Sequence, residues 1–256
     1  MNTLEKILQS KTLERLRRFW GKQTGIYLKL KRFTASASEQ LRTAMLLKNQ
    51  GITLVFDVGA NTGQFAESLY DFGYTGRVVS FEPVAQAYDE MLARCKAYPQ
   101  WTVAGRSAIG SADGEIDINV SDDTVFSSVL PIKDTYVAHN PKSKMVRKER
   151  IPLHKLDTIA DQYIQPGDRI LLKIDTQGYE KEVLDGAMQL LGRVSGIKIE
   201  IPLYPIYENT RFAFYDIADF MRDHGFQPYS FHIEGVDLKT GRVNTIDGMF
   251  FKTEAV

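Results

Sequence analysis

At 256 residues the chain is one large domain or a domain with a small appendage, and 43% hydrophobic with 25% charged residues is ordinary globular composition. Lys and Arg together number 32, as do Asp and Glu, so no overall field favours nucleic acid. The single cysteine, Cys95, excludes a disulfide framework and a cysteine-based metal cluster, and no apolar run approaches the ~20 residues that cross a bilayer.

The charge is unevenly spread. Met1 to Phe33 holds nine basic residues against Glu5 and Glu14, a net +7 that leaves −7 for the rest. Residues 3–20 set Leu4, Ile7, Leu8, Leu16, Phe19 and Trp20 at helical spacing between basic residues, an amphipathic basic helix. Such a segment packs on its own domain, contacts a second copy or lies on an anionic membrane. Charges interrupt the N-terminus too often for a signal sequence, so the expected location is cytoplasmic or peripheral to the inner membrane surface. Ser36 or Ser38 caps a further helix that ends at Gly51. We expect residues 1–50 to be a helical extension and 51–256 the main domain.

From there strands and helices alternate. The pattern predicts strand 53–58, helix 63–72, strand 77–82, helix 84–97 and strand 101–105. Gly114 to Val120 alternates as a half-buried strand, and Val125 to Leu130 and Glu149 to Leu153 read similarly around a polar loop, Pro141 to Lys148. These form an inserted β element. A helix over Leu156 to Tyr163 precedes the Pro166-Gly167-Asp168 turn. Arg169 to Ile174 is apolar except for Lys173, as a central parallel strand should be. Helix 179–192, strand 195–201, helix 213–224, strand 226–232, a turn over Gly235 to Arg242 and a returning strand from Met249 to Lys252 complete an α/β, Rossmann-like, seven-stranded sheet.

The most informative stretch is Val55-Phe56-Asp57-Val58-Gly59-Ala60-Asn61-Thr62-Gly63, with Ser80-Phe81-Glu82-Pro83 about twenty residues on. Strand, glycine loop, helix, then a strand ending in an acid is how an α/β sheet holds a nucleoside, the acid accepting from ribose hydroxyls. A dinucleotide loop wants glycine where Asn61 stands. Asn61 crowds a pyrophosphate, and Asp57 repels phosphate but suits an ammonium. Asp57, Gly59, Asn61, Gly63 and Glu82 therefore fit S-adenosylmethionine (SAM) better than NAD, although a nicotinamide oxidoreductase stays open. A third alternative is a non-catalytic scaffold recruited through residues 1–33.

These motifs, with Leu156-Asp157, Leu172-Lys-Ile-Asp-Thr-Gln-Gly-Tyr-Glu180, Val183-Leu-Asp-Gly-Ala187 and Ile199-Glu200, resemble the FkbM-type SAM-dependent methyltransferases from about residue 52 onward. The resemblance implies a class I methyltransferase fold and methylation of hydroxyl oxygens, often on sugars or on polyketide-type and lipid-linked natural products. It also assigns Pro83 to the cofactor site and places Ser107 and Ala108 at the adenine edge.

Methyl transfer to a hydroxyl requires alignment and removal of a proton. Asp175, at the carboxyl end of its strand, is the first candidate, and Glu200, ending the neighbouring strand, converges with it. Together they could hold Mg²⁺ through oxygen ligands. His154, at the end of an inserted strand, is a further candidate base. Lys173 shares a face with Asp175 and needs a carboxylate partner, Asp57 or Glu200. The expected acceptor is a small molecule or glycan, and no nucleic-acid-binding motif is present.

Overall fold

The computed structural model describes Gln23 and residues 34–252 apart from 205, 211 and 238. The basic helix expected over 3–20, and the membrane or dimer contact expected of 1–33, lie outside these residues. The chain divides into two compact units, Met1–Arg42 and Thr43–Val256. Ser38 caps helix α1 (Glu39–Asn49), its hydroxyl accepting the Leu41 N–H at 3.2 Å.

The central sheet contains β1 (Leu54–Val58), β2 (Arg77–Phe81), β3 (Trp101–Val103), β7 (Ile170–Ile174), β8 (Val194–Pro202), β9 (Phe226–Val236) and β10 (Val243–Lys252). Its order is β3-β2-β1-β7-β8-β10-β9, with β10 antiparallel to both neighbours. Every residue of β1 and of β7 is buried, because helices cover both faces. One face packs Leu47 of α1, Ala66 and Leu69 of α2 (Gln64–Asp71) and Met91 of α3 (Ala85–Arg94). The other packs Leu156, Val183, Leu184, Ile217 and Met221 from α5 (Leu156–Ile159), α6 (Glu180–Asp185) and α7 (Phe214–Asp223). Strand order reverses between the parallel neighbours β1 and β7, so the ligand crevice of this fold opens at their carboxyl ends.

The insertion differs from expectation. A small sheet of order β4-β6-β5 is built from β4 (Ala108–Ile109), β5 (Gly114–Ser121) and a ten-residue β6 (Met145–His154) that absorbs half of the expected loop. Val125 to Leu130 is not a strand. Asp123 accepts the Val125 N–H at 3.3 Å and starts a 3₁₀ turn at Thr124–Phe126, leaving one bridge between Asn119 and Ser128. A short α4 (Asp134–Val137) follows. The helix expected over 179–192 is also broken, because α6 ends where Gly186 abuts Gly110. A Cβ on Gly186 would lie 1.9 Å from the Gly110 carbonyl oxygen. β9 carries two bulges, at Tyr229 and Glu234, each skipped in the backbone register with β10. Among the described residues, no helix is long and apolar enough to cross a membrane.

Candidate active site

Register and side-chain period place Ser80, Asp57, Lys173 and Lys198 on one sheet face. Trp101 Nε1 donates to Ser80 Oγ at 2.9 Å, and Ser80 donates to Asp57 Oδ2 at 3.1 Å. Lys173 Nζ stands 3.0 Å from Asp57 Oδ1, off the angle of a good hydrogen bond. It donates to the Gly59 carbonyl at 3.0 Å and lies 3.6 Å from Asp175 Oδ2. Burial opposes the lysine charge, but Asp57 and Asp175 outweigh it and hold the ammonium above the usual lysine range. Lys198 pairs with Asp247 instead.

The Asp57 side chain is fully buried and faces Lys173, so it anchors the start of the loop. Gly59 and Gly63 also answer to the protein. Both have left-handed backbones, at φ +74° and +86°. A Cβ on Gly59 would sit 1.9 Å from the Asp175 carbonyl oxygen, and one on Gly63 would enter the Trp101 ring at 2.3 Å. Asn61, at φ +49°, turns its Oδ1 back to accept the Thr62 N–H at 2.7 Å, and Thr124 Oγ1 approaches it at 3.4 Å.

What remains fits SAM. Gly63 caps α2 without a side chain, leaving first-turn N–H groups suited to a ligand carboxylate. Glu82 accepts the Asn61 N–H at 2.7 Å on one oxygen and the Val84 N–H at 2.8 Å on the other. Each oxygen keeps a lone pair for one of two vicinal ribose hydroxyls. Pro83 is half-buried, its carbonyl taken by Arg106 at 3.2 Å. The Ser107 hydroxyl donates to the Gly105 carbonyl at 3.0 Å. Ala108 lies in β4, its side chain buried in the cluster that holds Val84, Ala87 and Ile151.

Burial, the largest cause, pushes the Glu82 carboxyl up to about 7 against its two backbone bonds. Such a group is mostly anionic at pH 8 and mostly protonated at pH 6, and ribose hydroxyls need the anion. Affinity for S-adenosylhomocysteine should therefore fall about tenfold from pH 8 to pH 6. Calorimetry at the two pH values measures this. A flat profile, or the same slope in Glu82→Gln, would remove Glu82 from the ligand site.

Asp175 directly follows β7, and Glu200 lies near the end of β8. The structure brings them together through Gln177, whose Nε2 donates to Asp175 Oδ1 at 2.8 Å and to Glu200 Oε2 at 3.2 Å. Tyr207 donates to Gln177 Oε1 at 2.9 Å. Burial first, then the charges of Asp175 and Glu180, raise the Glu200 carboxyl well above the usual carboxylate range. Glu180 is buried too, and burial pushes it up to about 7 although it accepts the Thr176 and Gly178 N–H groups at 3.0 Å each. A cavity of about 280 Å³ opens here, lined by Gln177, Glu200, Tyr136, Tyr204 and Tyr207 among others.

His154 is not part of this cluster. It lies 3.7 Å from Asp113, half-exposed, and does not line the cavity. Among the described residues, no group of three or more His, Cys, Asp and Glu side chains could hold a metal ion. The gap between Asp175 and Glu200, where a shared cation would sit, is filled by the Gln177 amide. The sequence marks Gln177 as a substrate contact and Tyr204 and Tyr207 as an aromatic rim after β8, but it does not show that Tyr207 and Gln177 are hydrogen-bonded to each other and to the two acids.

Residues 57–228, more than half of the chain, match the methyltransferase FkbM domain. The chain belongs to the FkbM methyltransferase family. It is a SAM-dependent methyltransferase, which sets aside the nicotinamide oxidoreductase reading. Solved structures of similar fold include the magnesium protoporphyrin IX methyltransferase of Synechocystis PCC 6803 with bound SAM, 11% identical over 99% of this chain and 100% of that one (TM-score 0.45). Another is the 1,6-didemethyltoxoflavin-N1-methyltransferase of Burkholderia thailandensis, 12% identical over 95% and 90% (TM-score 0.44). A third is an rRNA methylase of Streptococcus thermophilus, 11% identical over 83% and 95% (TM-score 0.44). No curated protein matches the sequence.

Proposed function

We propose that this FkbM methyltransferase transfers the SAM methyl group to a hydroxyl oxygen of a sugar or of a glycosylated or lipid-linked natural product. The observation that carries this reading is Glu200 in the wall of a cavity rimmed by tyrosines, joined to Asp175 just behind that wall by the Gln177 amide. Carboxyl groups accept from hydroxyls, tyrosine faces suit sugar rings, and about 280 Å³ is small for a ligand pocket, matching one ring better than a polyketide.

In this reading Glu82 and the Gly59–Gly63 loop hold the nucleoside, and SAM when bound supplies the electrophilic methyl carbon. Asp175 is the more exposed of the two acids and lies beside the Lys173 ammonium, so it takes the acceptor proton as the oxygen attacks. Glu200, deeper and held by Gln177, orients the hydroxyl. Proton removal by a carboxylate needs no Mg²⁺ between the two acids.

Incubation with methyl-labelled SAM and a panel of simple glycosides, nucleotide sugars and lipid-linked glycans, with and without chelator, tests this. Label should appear on a hydroxyl of a saccharide and survive chelation. Label only on nitrogen, carbon or nucleic acid would overturn the acceptor, and loss under chelation would restore a metal. No transfer in any arm would favour the scaffold reading.

A further inference from the structure

The backbone at Gln177 is left-handed, at φ +58°, and Gly178 follows at +97°. A glutamine there costs roughly 1–2 kcal/mol that a glycine would not. Two successive left-handed residues fold the chain back so that the Gln177 side chain lies between the ends of β7 and β8. Ser128 pins the turn from the insertion, its hydroxyl donating to the Gln177 carbonyl at 2.7 Å. Tyr207 pins the side chain. It is 4% exposed, its ring within about 3.2 Å of where a Cβ on Gly178 would stand.

An amide nitrogen has two hydrogens, and here one goes to each carboxyl group. The reverse orientation would set Oε1 against carboxylate oxygens and would take Oε1 away from the Tyr207 O–H, which has Oε1 at 2.9 Å and the Phe126 carbonyl at 3.2 Å as acceptors. With the amide gone, no donor would stand between the half-exposed Asp175 and Glu200, and two acids facing each other at adjacent strand ends titrate as a coupled pair with a raised upper step.

We propose that Gln177 is a positioning residue: its amide, aimed by Tyr207, separates Asp175 from Glu200 and keeps them from merging through a shared proton. The inference rests on the reading of these two acids as the acceptor-facing pair, but its test needs neither acceptor nor cofactor. Failure of the transfer assay would leave the titration result standing, and the reverse holds.

The test is a ¹³C-carboxyl NMR titration of the unliganded, Asp- and Glu-labelled full chain from pH 5 to 9. Wild type is compared with Gln177→Gly, Gln177→Asn and Tyr207→Phe. Glycine suits the backbone at this position, so Gln177→Gly should melt at or above the wild-type temperature. Its carboxyl pair should show an upper titration step at least one pH unit higher. Asparagine, shorter by one carbon, should move the step partway, and Tyr207→Phe should move it less in the same direction. An unmoved titration in folded Gln177→Gly would overturn the proposal. So would an unfolded Gln177→Gly, because the side chain would then be holding the turn and not the acids.

Discussion

Lys173→Met should destabilise the protein by about 3–5 kcal/mol, the cost of leaving one partner of a buried ion pair alone. Asp57 has no access to solvent, and after the substitution only Ser80 would remain to solvate it. The Gly59 carbonyl would lose its lysine donor at the same time, loosening the loop that faces the ligand. Urea denaturation measures the effect as a lower midpoint with an unchanged slope. The double variant Asp57→Leu with Lys173→Met should recover much of the loss, since two apolar groups leave no charge behind. A single variant within about 1 kcal/mol of wild type would mean that Asp57 is solvated by something other than the lysine.

Asp175→Asn should lower the rate of methyl transfer by about 10²–10⁴-fold, the usual contribution of a positioned general base. Asparagine keeps the shape, and its carbonyl can still accept from Gln177, but it cannot take a proton. Affinity for S-adenosylhomocysteine should stay within about twofold, because the Glu82 and Gly63 groups are untouched. Kinetics with the acceptor found in the labelled panel, beside calorimetry of the nucleoside product, separate the two effects. Near-normal turnover would place the base elsewhere and reduce Asp175 to a loop contact.

Much of the sheet was legible because parallel strands buried on both faces read as unbroken apolar runs. Leu54–Val58, Arg77–Phe81 and Ile170–Ile174 each lie within a residue or two of expectation. The meeting of Asp175 and Glu200 followed from their places at adjacent strand ends. The need of Lys173 for a partner followed from the cost of burying an unpaired charge. What could not be read was tertiary. Nothing local says that Gly186 must clear the Gly110 carbonyl, which cuts one expected helix short. Val125 to Leu130 alternates like a strand, but Asp123 offers the chain a turn, and local side-chain bonding wins where one bridge is the only ladder available. The glycines of the loop were read as room for a ligand, whereas Asp175 and Trp101 fill the space beside them.

The bulges in β9 bear on how the molecule survives at high concentration. This outermost strand is eleven residues long and shows Phe231 and Ile233 to water, a combination that invites a stranger's backbone to extend the sheet. Tyr229 and Glu234 kink it at two points, leaving the four residues Ser230 to Ile233 as its longest uninterrupted run. A stretch that short is a poor template for fibrous stacking, so oily side chains are tolerable on the rim.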